Sequence, residues 1–190
     1  RADMRPWRSK IQMVFQDPFA SLNPRIRIGD IIAQGPVTQG VKKQEADQRA
    51  RELLDVVGLD ELAFDRFPHE FSGGQRQRIG IARSLALKPE ILIADEPVSA
   101  LDVSIQAQIL KLLEQIRGQM DLSMIFITHD LRVAAQVCDR LAVMRFGEVV
   151  ETGVTSEIFA DPQHDYTKEL LAAVPGQGWS QGIATNPYPL

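Results

Sequence analysis

The chain is poor in cysteine: Cys138 stands alone among 190 residues. An internal disulfide is therefore excluded, which fits a reducing compartment. Long hydrophobic runs are also missing, since none approaches the roughly 20 residues that a membrane span needs. The chain opens with Arg1-Ala2-Asp3 instead of Met and shows no basic stretch followed by an apolar core, so it carries no signal-peptide pattern. This opening is read as that of a piece cut from a longer chain. There is no excess of positive charge: 21 Lys and Arg stand against 25 Asp and Glu, for a net charge of −4. Without a basic footprint, nucleic acid is not expected as the main partner. His69, His164 and Cys138 are too scattered for a metal site. No internal repeat is visible. Finally, no Gly-x-x-x-x-Gly-Lys-Ser/Thr loop, the run whose backbone cradles phosphates, occurs anywhere.

What is present suits one domain, perhaps with a subdomain. A chain of this size buries roughly 70% of its unfolded surface, and a hydrophobic content of 44% is ordinary for a globule. Lys10–Phe15 is a short apolar strand candidate, ended by Gln16-Asp17-Pro18. Residues 17–40 hold three prolines and three glycines, which predicts loops and short helical turns. Ala46, Ala50, Leu53, Leu54 and Val57 recur at helical spacing and are followed by Gly58, a natural helix stop. Ser72 and Gln75 stand as in a capping box, opening a helix that runs to Pro89.

From there the texture changes. Ile91–Ala94 is apolar without alternation, the pattern of a strand buried on both faces, and Met124–Thr128 reads as a second buried strand. Between them Ile105, Ile109, Leu112, Leu113 and Ile116 mark the apolar face of a helix over Ser104–Met120. Strand, helix and strand imply a right-handed crossover and a parallel sheet. Leu141–Met144 and Glu148–Glu151 predict a hairpin turning at Phe146-Gly147. Short helices are expected at about Ser156–Phe159 and Tyr166–Val174. The tail after Pro175 is rich in Gly, Pro, Gln and Asn and is expected to be flexible.

The candidate chemistry lies at the strand ends. Asp95 and Glu96 close an apolar strand, where parallel sheets place their ligands. One carboxylate there can hold Mg²⁺ partly through water, and the next can polarise an attacking water. Taken alone, an Asp-Glu pair at a strand end is as well read as a solvated turn. Ser72-Gly73-Gly74-Gln75 opens a helix whose bare N–H groups favour an anion, and glycine lets the backbone approach it. The plain alternative is an ordinary capped helix. His129 directly follows the second strand, in reach of a phosphate oxygen or water held at that strand end. Gln16, at the end of the first strand, can ligate Mg²⁺ or contact the same water. Asp102 follows the acids by a few residues and reads as a helix N-cap, with or without a functional role.

Gln16, Phe71–Gln75, Ile91–Glu96, Ser99–Asp102 and His129 together resemble the Q-loop, signature, Walker B, D-loop and H-loop of ABC transporter ATP-binding subunits, in that order. The likeness covers about residues 8–175. Phe15-Gln16-Asp17-Pro18, Ser21-Leu22-Asn23-Pro24-Arg25 and His164-Asp165-Tyr166-Thr167-Lys168-Glu169-Leu170 look like the oligopeptide, dipeptide and nickel importer branch, although Asp165 replaces a frequent Pro.

The resemblance implies an α/β fold: a partial P-loop NTPase core with a parallel sheet plus an α-helical signature subdomain. Residues 1–16 would end the N-terminal part of the core and 17–88 would form the helical subdomain. Residues 89–175 would carry the rest of the core, and 176–190 a flexible tail. It implies ATP and Mg²⁺ as ligands, with Asp95 and Gln16 toward the metal. Glu96 would be the general base, and His129 would sense the γ-phosphate. Ser72, Gly73, Gly74, Gln75 and Asp102 would contact nucleotide. The implied partners are a second ATP-binding subunit and the integral-membrane permease, at the cytoplasmic face of the membrane, with no nucleic acid. The phosphate loop of the family would lie upstream of Arg1, on a strand beside Met124–Thr128, and the chain alone is expected to be inactive.

Two other readings compete. One is a non-catalytic module that binds a permease or a dimer partner. The other is a soluble ABC protein of DNA repair or translation, which the 15–25 and 164–170 segments speak against.

Overall fold

The structure, a computed structural model, describes residues 7–17 and 21–174. The tail after Pro175 lies outside the described residues, as does Pro18 of the first motif. Two compact units divide between Ile127 and Thr128.

In the first unit, α1 (Trp7–Lys10) leads into β1 (Ile11–Val14). A helical stretch follows, with α2 (Ile28–Thr38), α3 (Lys43–Val56), 3-10 turns at Glu61–Asp65 and Pro68–Glu70, and α4 (Gly73–Leu85). The chain then returns to the sheet through β2 (Ile91–Asp95), α5 (Val103–Met120) and β3 (Ser123–Ile127). Among the described residues the sheet has three strands in the order β1-β2-β3, all parallel. The expected strand-helix-strand crossover is therefore present.

The two apolar strands are less buried than their composition suggests. Leu92 and Ala94 are fully buried, but Ile125 is 53% and Ile127 45% exposed. In register, Val14 pairs with Ala94, while Ile93 pairs with Ile125 and Asp95 with Ile127. One face therefore carries Val14 and Ala94 into the core beneath the helices, and the other carries the isoleucines and Asp95. An apolar run shows that a strand is hydrophobic on both faces, not that both faces are covered.

The loops expected over residues 17–40 contain an 11-residue helix, α2, with Pro36 inside it. Burial overrides propensity here. Ile28, Ile31, Ile32 and Ala33 are at most 4% exposed. Gly29 is required by packing, because a Cβ there would sit 2.4 Å from the Phe64 ring. Proline removes one helical donor, but its own carbonyl accepts from the N–H groups of Gln39 and Val41 at 3.0 Å. α3 ends where Gly58 takes φ +69°, as its helical spacing predicts.

In the second unit, α6 (Leu131–Val137) precedes the antiparallel pair β4 (Arg140–Arg145) and β5 (Glu148–Val154). The hairpin turns at Phe146 and Gly147, both at positive φ, where the sequence places it. α7 (Thr155–Ala160) and α8 (Asp165–Ala172) complete the unit. Glu151 of β5 accepts from the N–H of Gln163 at 2.8 Å and of His164 at 3.1 Å, and the His164 ring accepts from Tyr166 N–H to cap α8. His164 is thus structural. His69 is likewise placed, its ring stacked 5.8 Å from Phe67.

Candidate functional site

The parallel register fixes the first two site residues. Val14 pairs with Ala94, so Gln16 and Glu96, each two residues further on, emerge together at the carboxyl ends of β1 and β2. Gln16 Nε2 donates to Glu96 Oε2 at 2.8 Å and lies 3.3 Å from Ser99 Oγ. Glu96 has left the strand: its φ is +44°, a left-handed value uncommon for a side-chain-bearing residue. Its N–H donates to Ile127 O at 2.9 Å, which ties the bend to the end of β3. Asp95 is the last residue of β2 and is half-buried.

Beyond Glu96 the chain turns back on itself. Glu96 O accepts from Ser99 N at 3.2 Å and from Ser99 Oγ at 3.1 Å, and Val98 O accepts from Leu101 N at 3.1 Å. Asp102 stands at the N-cap of α5, as its place in the sequence suggests, but its side chain makes no capping bond. The backbone carbonyl of Asp102 serves instead, accepting from Ile105 N and Gln106 N.

Ser72–Gln75 form the start of α4. Ser72 Oγ accepts from Gln75 N at 3.3 Å and Gln75 Oε1 accepts from Ser72 N at 3.0 Å, the expected capping box. Gly73 and Gly74 follow in the first turn. A Cβ at Gly74 would lie 2.5 Å from Ile105 Cγ2, and one at Gly73 would lie 3.6 Å from Leu101 Cδ2. The first turn of α4 is therefore pressed against the start of α5, and Gly74 is needed for that approach whatever else it does.

Arginines fix α4 from its sides. Arg78 Nη1 donates to Val57 O at 2.6 Å, closing the carboxyl end of α3, and Arg78 Nη2 reaches Gln108 Oε1 at 3.2 Å. Arg83 bonds the Ser21 carbonyl, and burial pushes the Arg83 guanidinium pKa down. Gln77, 1% exposed, points its amide toward Phe15 O at 3.5 Å.

The structure thus brings Gln16, Glu96 and Ser99 into contact and sets Gly73 and Gly74 against the turn that leads on from Ser99. His129 belongs to the second unit. It stands between Thr128, whose Oγ1 accepts from Asp130 N, and Asp130, whose Oδ1 accepts from Arg132 N at the start of α6. Sequence reasoning named Ser99 only as part of a motif and Ile105 only as a core residue, and it passed over Gln77 and Gln106. Only Ile105 carried a signal, its place on the apolar face of a helix, and that signal pointed to the core.

The donor set suits Mg²⁺, which takes one or two carboxylates and keeps water or phosphate oxygens elsewhere. Asp95 supplies a carboxylate at the strand end, and Gln16 retains its amide oxygen while its nitrogen is bonded to Glu96. Among the described residues no group of three or more His, Cys, Asp or Glu forms a closed metal cage.

The family model for ABC transporters matches residues 1–99, more than half of the chain. This chain belongs to the ABC transporter family. Gln16, Ser72–Gln75, Asp95 and Glu96 all fall inside the matched span. The dipeptide transport ATP-binding protein DppF of Lactococcus lactis is 50% identical over 176 residues, 92% of this chain and 56% of that protein. The oligopeptide transport ATP-binding protein OppF of Bacillus subtilis is 51% identical over 177 residues, 92% of this chain and 58% of that protein. The chain therefore spans a little over half the length of these relatives. Among solved structures, cbiO1 from Clostridium perfringens, described as part of the ABC transporter complex cbiONQ, superposes with a TM-score of 0.76 at 29% identity. That match covers 92% of this chain and 68% of cbiO1. The α/β fold with a parallel sheet is that of an ABC ATPase, as the motifs imply. Among the described residues no helix is long and apolar enough to cross a membrane.

Proposed function

We propose that this chain is part of the ATP-binding, ATP-hydrolysing subunit of an importer of peptides, with nickel as the other cargo of the same branch. The observation that carries the reading is the Gln16–Glu96 contact at 2.8 Å, with Ser99 beside it, at the carboxyl ends of two parallel strands. That is where open parallel sheets bind their ligands. The dipeptide and oligopeptide relatives support the cargo class by their names.

In this reading Glu96 orients the attacking water and takes its proton, a positioning role more than a strongly basic one. Gln16 holds the carboxylate in place and offers its amide to the same water. Asp95, with the Gln16 oxygen, holds Mg²⁺, which when bound neutralises charge on the phosphates. Ser72, Gly73, Gly74 and Gln75 present the amino end of α4 to the γ-phosphate bound by a second subunit, where bare N–H groups favour an anion. Asp102 contacts nucleotide as well, and His129 senses a γ-phosphate. The helical stretch 17–88 seats the permease, and the subunit works at the cytoplasmic face of the membrane.

A second reading, a non-catalytic module that only binds a permease or dimer partner, draws on the absence of a Gly-x-x-x-x-Gly-Lys-Ser/Thr run from these 190 residues. Calorimetric titration with Mg-ATP separates the two. The 190-residue chain alone is expected to bind none. Extended upstream to include the phosphate loop, it is expected to bind and hydrolyse ATP, with hydrolysis lost and binding kept in Glu96→Gln. An extended, folded chain that binds no ATP would overturn the ATPase reading in favour of the second.

A further inference from the structure

Between Glu96 and α5 the chain makes a tight turn in which Val98 O accepts from Leu101 N at 3.1 Å, leaving room on the Val98 and Leu101 carbonyls for a further donor. One side chain meets both. Gln106 Nε2 donates to Val98 O at 3.0 Å and to Leu101 O at 3.0 Å. Gln106 sits in the first turn of α5, and its own N–H donates to Asp102 O at 2.8 Å. Its amide therefore spans the turn from the helix side and uses both of its hydrogens on carbonyls of one short loop.

The turn so held has two contacts. On one side Ser99 Oγ bonds Glu96 O and lies 3.3 Å from Gln16 Nε2. On the other, the Leu101 side chain lies where a Cβ on Gly73 would come within 3.6 Å, and Ile105, one residue before Gln106, presses on Gly74. Glu96 and the amino end of α4 are thus linked through a turn braced by its own backbone bonds and, from the helix side, by the Gln106 amide.

We infer that Gln106 is a positioning residue: its paired hydrogen bonds hold the 98–101 turn so that Ser99 meets Gln16 beside Glu96 and Leu101 meets Gly73. The inference rests on the ATPase reading for its kinetic consequence and not for its structural one. Gln106 touches none of the proposed reacting groups. It acts through the turn.

The test uses the sequence in its full-length context, assembled with its partner subunit and permease. Gln106→Leu keeps the volume and removes both donors. Gln106→Arg supplies a planar donor group for the same two carbonyls. Misplacing a catalytic group by about an ångström costs up to about a hundredfold in rate. Gln106→Leu is therefore expected to lower kcat at least about tenfold while KM for ATP stays within about twofold, and Gln106→Arg to recover most of it.

Hydrogen exchange is read in parallel. The amides of Ser99 and Leu101, which close the turn, are expected to exchange faster in Gln106→Leu and to be protected again in Gln106→Arg, with exchange in α3 and α4 unchanged. Wild-type kcat in Gln106→Leu, or a loss of rate that Gln106→Arg does not recover, overturns the inference. So does exchange that speeds up throughout the first unit, since that marks Gln106 as a general stability residue. If the wild-type assembly hydrolyses no ATP, the ATPase reading fails, and the exchange of Ser99 and Leu101 still decides whether Gln106 positions the turn.

Discussion

Gln16 and Glu96 lie 80 positions apart in the chain and meet through a 2.8 Å hydrogen bond from Nε2 to Oε2. Both are exposed or half-exposed, so the bond contributes about 1 kcal/mol or less to stability. Gln16→Ala is therefore expected to leave the melting temperature almost unchanged and to lower ATP turnover in the full-length assembly. Glu96→Gln removes the carboxylate itself and is expected to cost about 10²–10⁴-fold in kcat, with nucleotide affinity kept. Turnover at the wild-type level in Glu96→Gln, measured by phosphate release, would refute the assignment of Glu96 as base.

Gly74 gives a prediction independent of function. Its missing Cβ leaves room for Ile105 Cγ2, which would otherwise sit at 2.5 Å. Gly74→Ala is expected to destabilise the chain by about 1–3 kcal/mol, the usual cost of overpacking. Ile105→Ala removes the opposing methyl, so Gly74→Ala made in that background should cost much less. Denaturant melts of the four proteins form a double-mutant cycle, and strict additivity would show that the two residues do not press on one another.

Much of this is legible in the sequence. The capping box of Ser72 and Gln75, the Gly58 stop, the hairpin at Phe146-Gly147 and the crossover around α5 each follow from local rules, and local rules suffice where a few neighbouring residues decide the structure. α2 is not legible there because Gly29, Gly35 and Pro36 read as loop, and only the tertiary contact with Phe64 makes Gly29 an asset. The exposure of Ile125 and Ile127 is not legible for a related reason: composition measures how apolar a strand is, and neighbours decide what covers it. In the site, strand ends point to Gln16 and Glu96 and a motif includes Ser99, yet the contact of Ser99 with Gln16 and the role of Gln106 depend on the shape of the turn between β2 and α5.

Asp130 predicts a pH dependence. Its carboxylate accepts from the side chain of Arg132, at 3.1 Å from Nε and 2.9 Å from Nη2, and from Arg132 N–H at 2.9 Å. The Arg132 side-chain bonds, opposed by burial and helped by the backbone N–H groups, hold its pKa below the ordinary 3.8. A depressed carboxylate stabilises the fold above its unfolded pKa and loses that contribution as pH falls through the folded value. The contribution is thus complete at neutral pH and lost below about pH 4. Asp130→Asn keeps a capping oxygen without the charge. Its melting temperature is expected to fall less steeply than that of wild type between about pH 4 and pH 2. Parallel curves would mean that Asp130 is not held low by Arg132.

Ser72 is a helix cap, and the proposed phosphate contact can be separated from that role. Its Oγ already accepts from Gln75 N, and Gln75 Oε1 returns a bond to Ser72 N. Ser72→Ala removes the cap and is expected to destabilise the chain by about 1 kcal/mol. Ser72→Asn restores a capping oxygen, because asparagine serves the N-cap as well as serine does, so stability should return. The asparagine amide, however, is bulkier and cannot present a hydroxyl to a phosphate held by the opposing subunit. In the full-length assembly Ser72→Asn is therefore expected to melt like wild type yet hydrolyse ATP at least about tenfold more slowly. If Ser72→Asn recovers both stability and turnover, Ser72 is a helix cap alone, and the proposed phosphate contact is left to the backbone N–H groups of Gly73, Gly74 and Gln75.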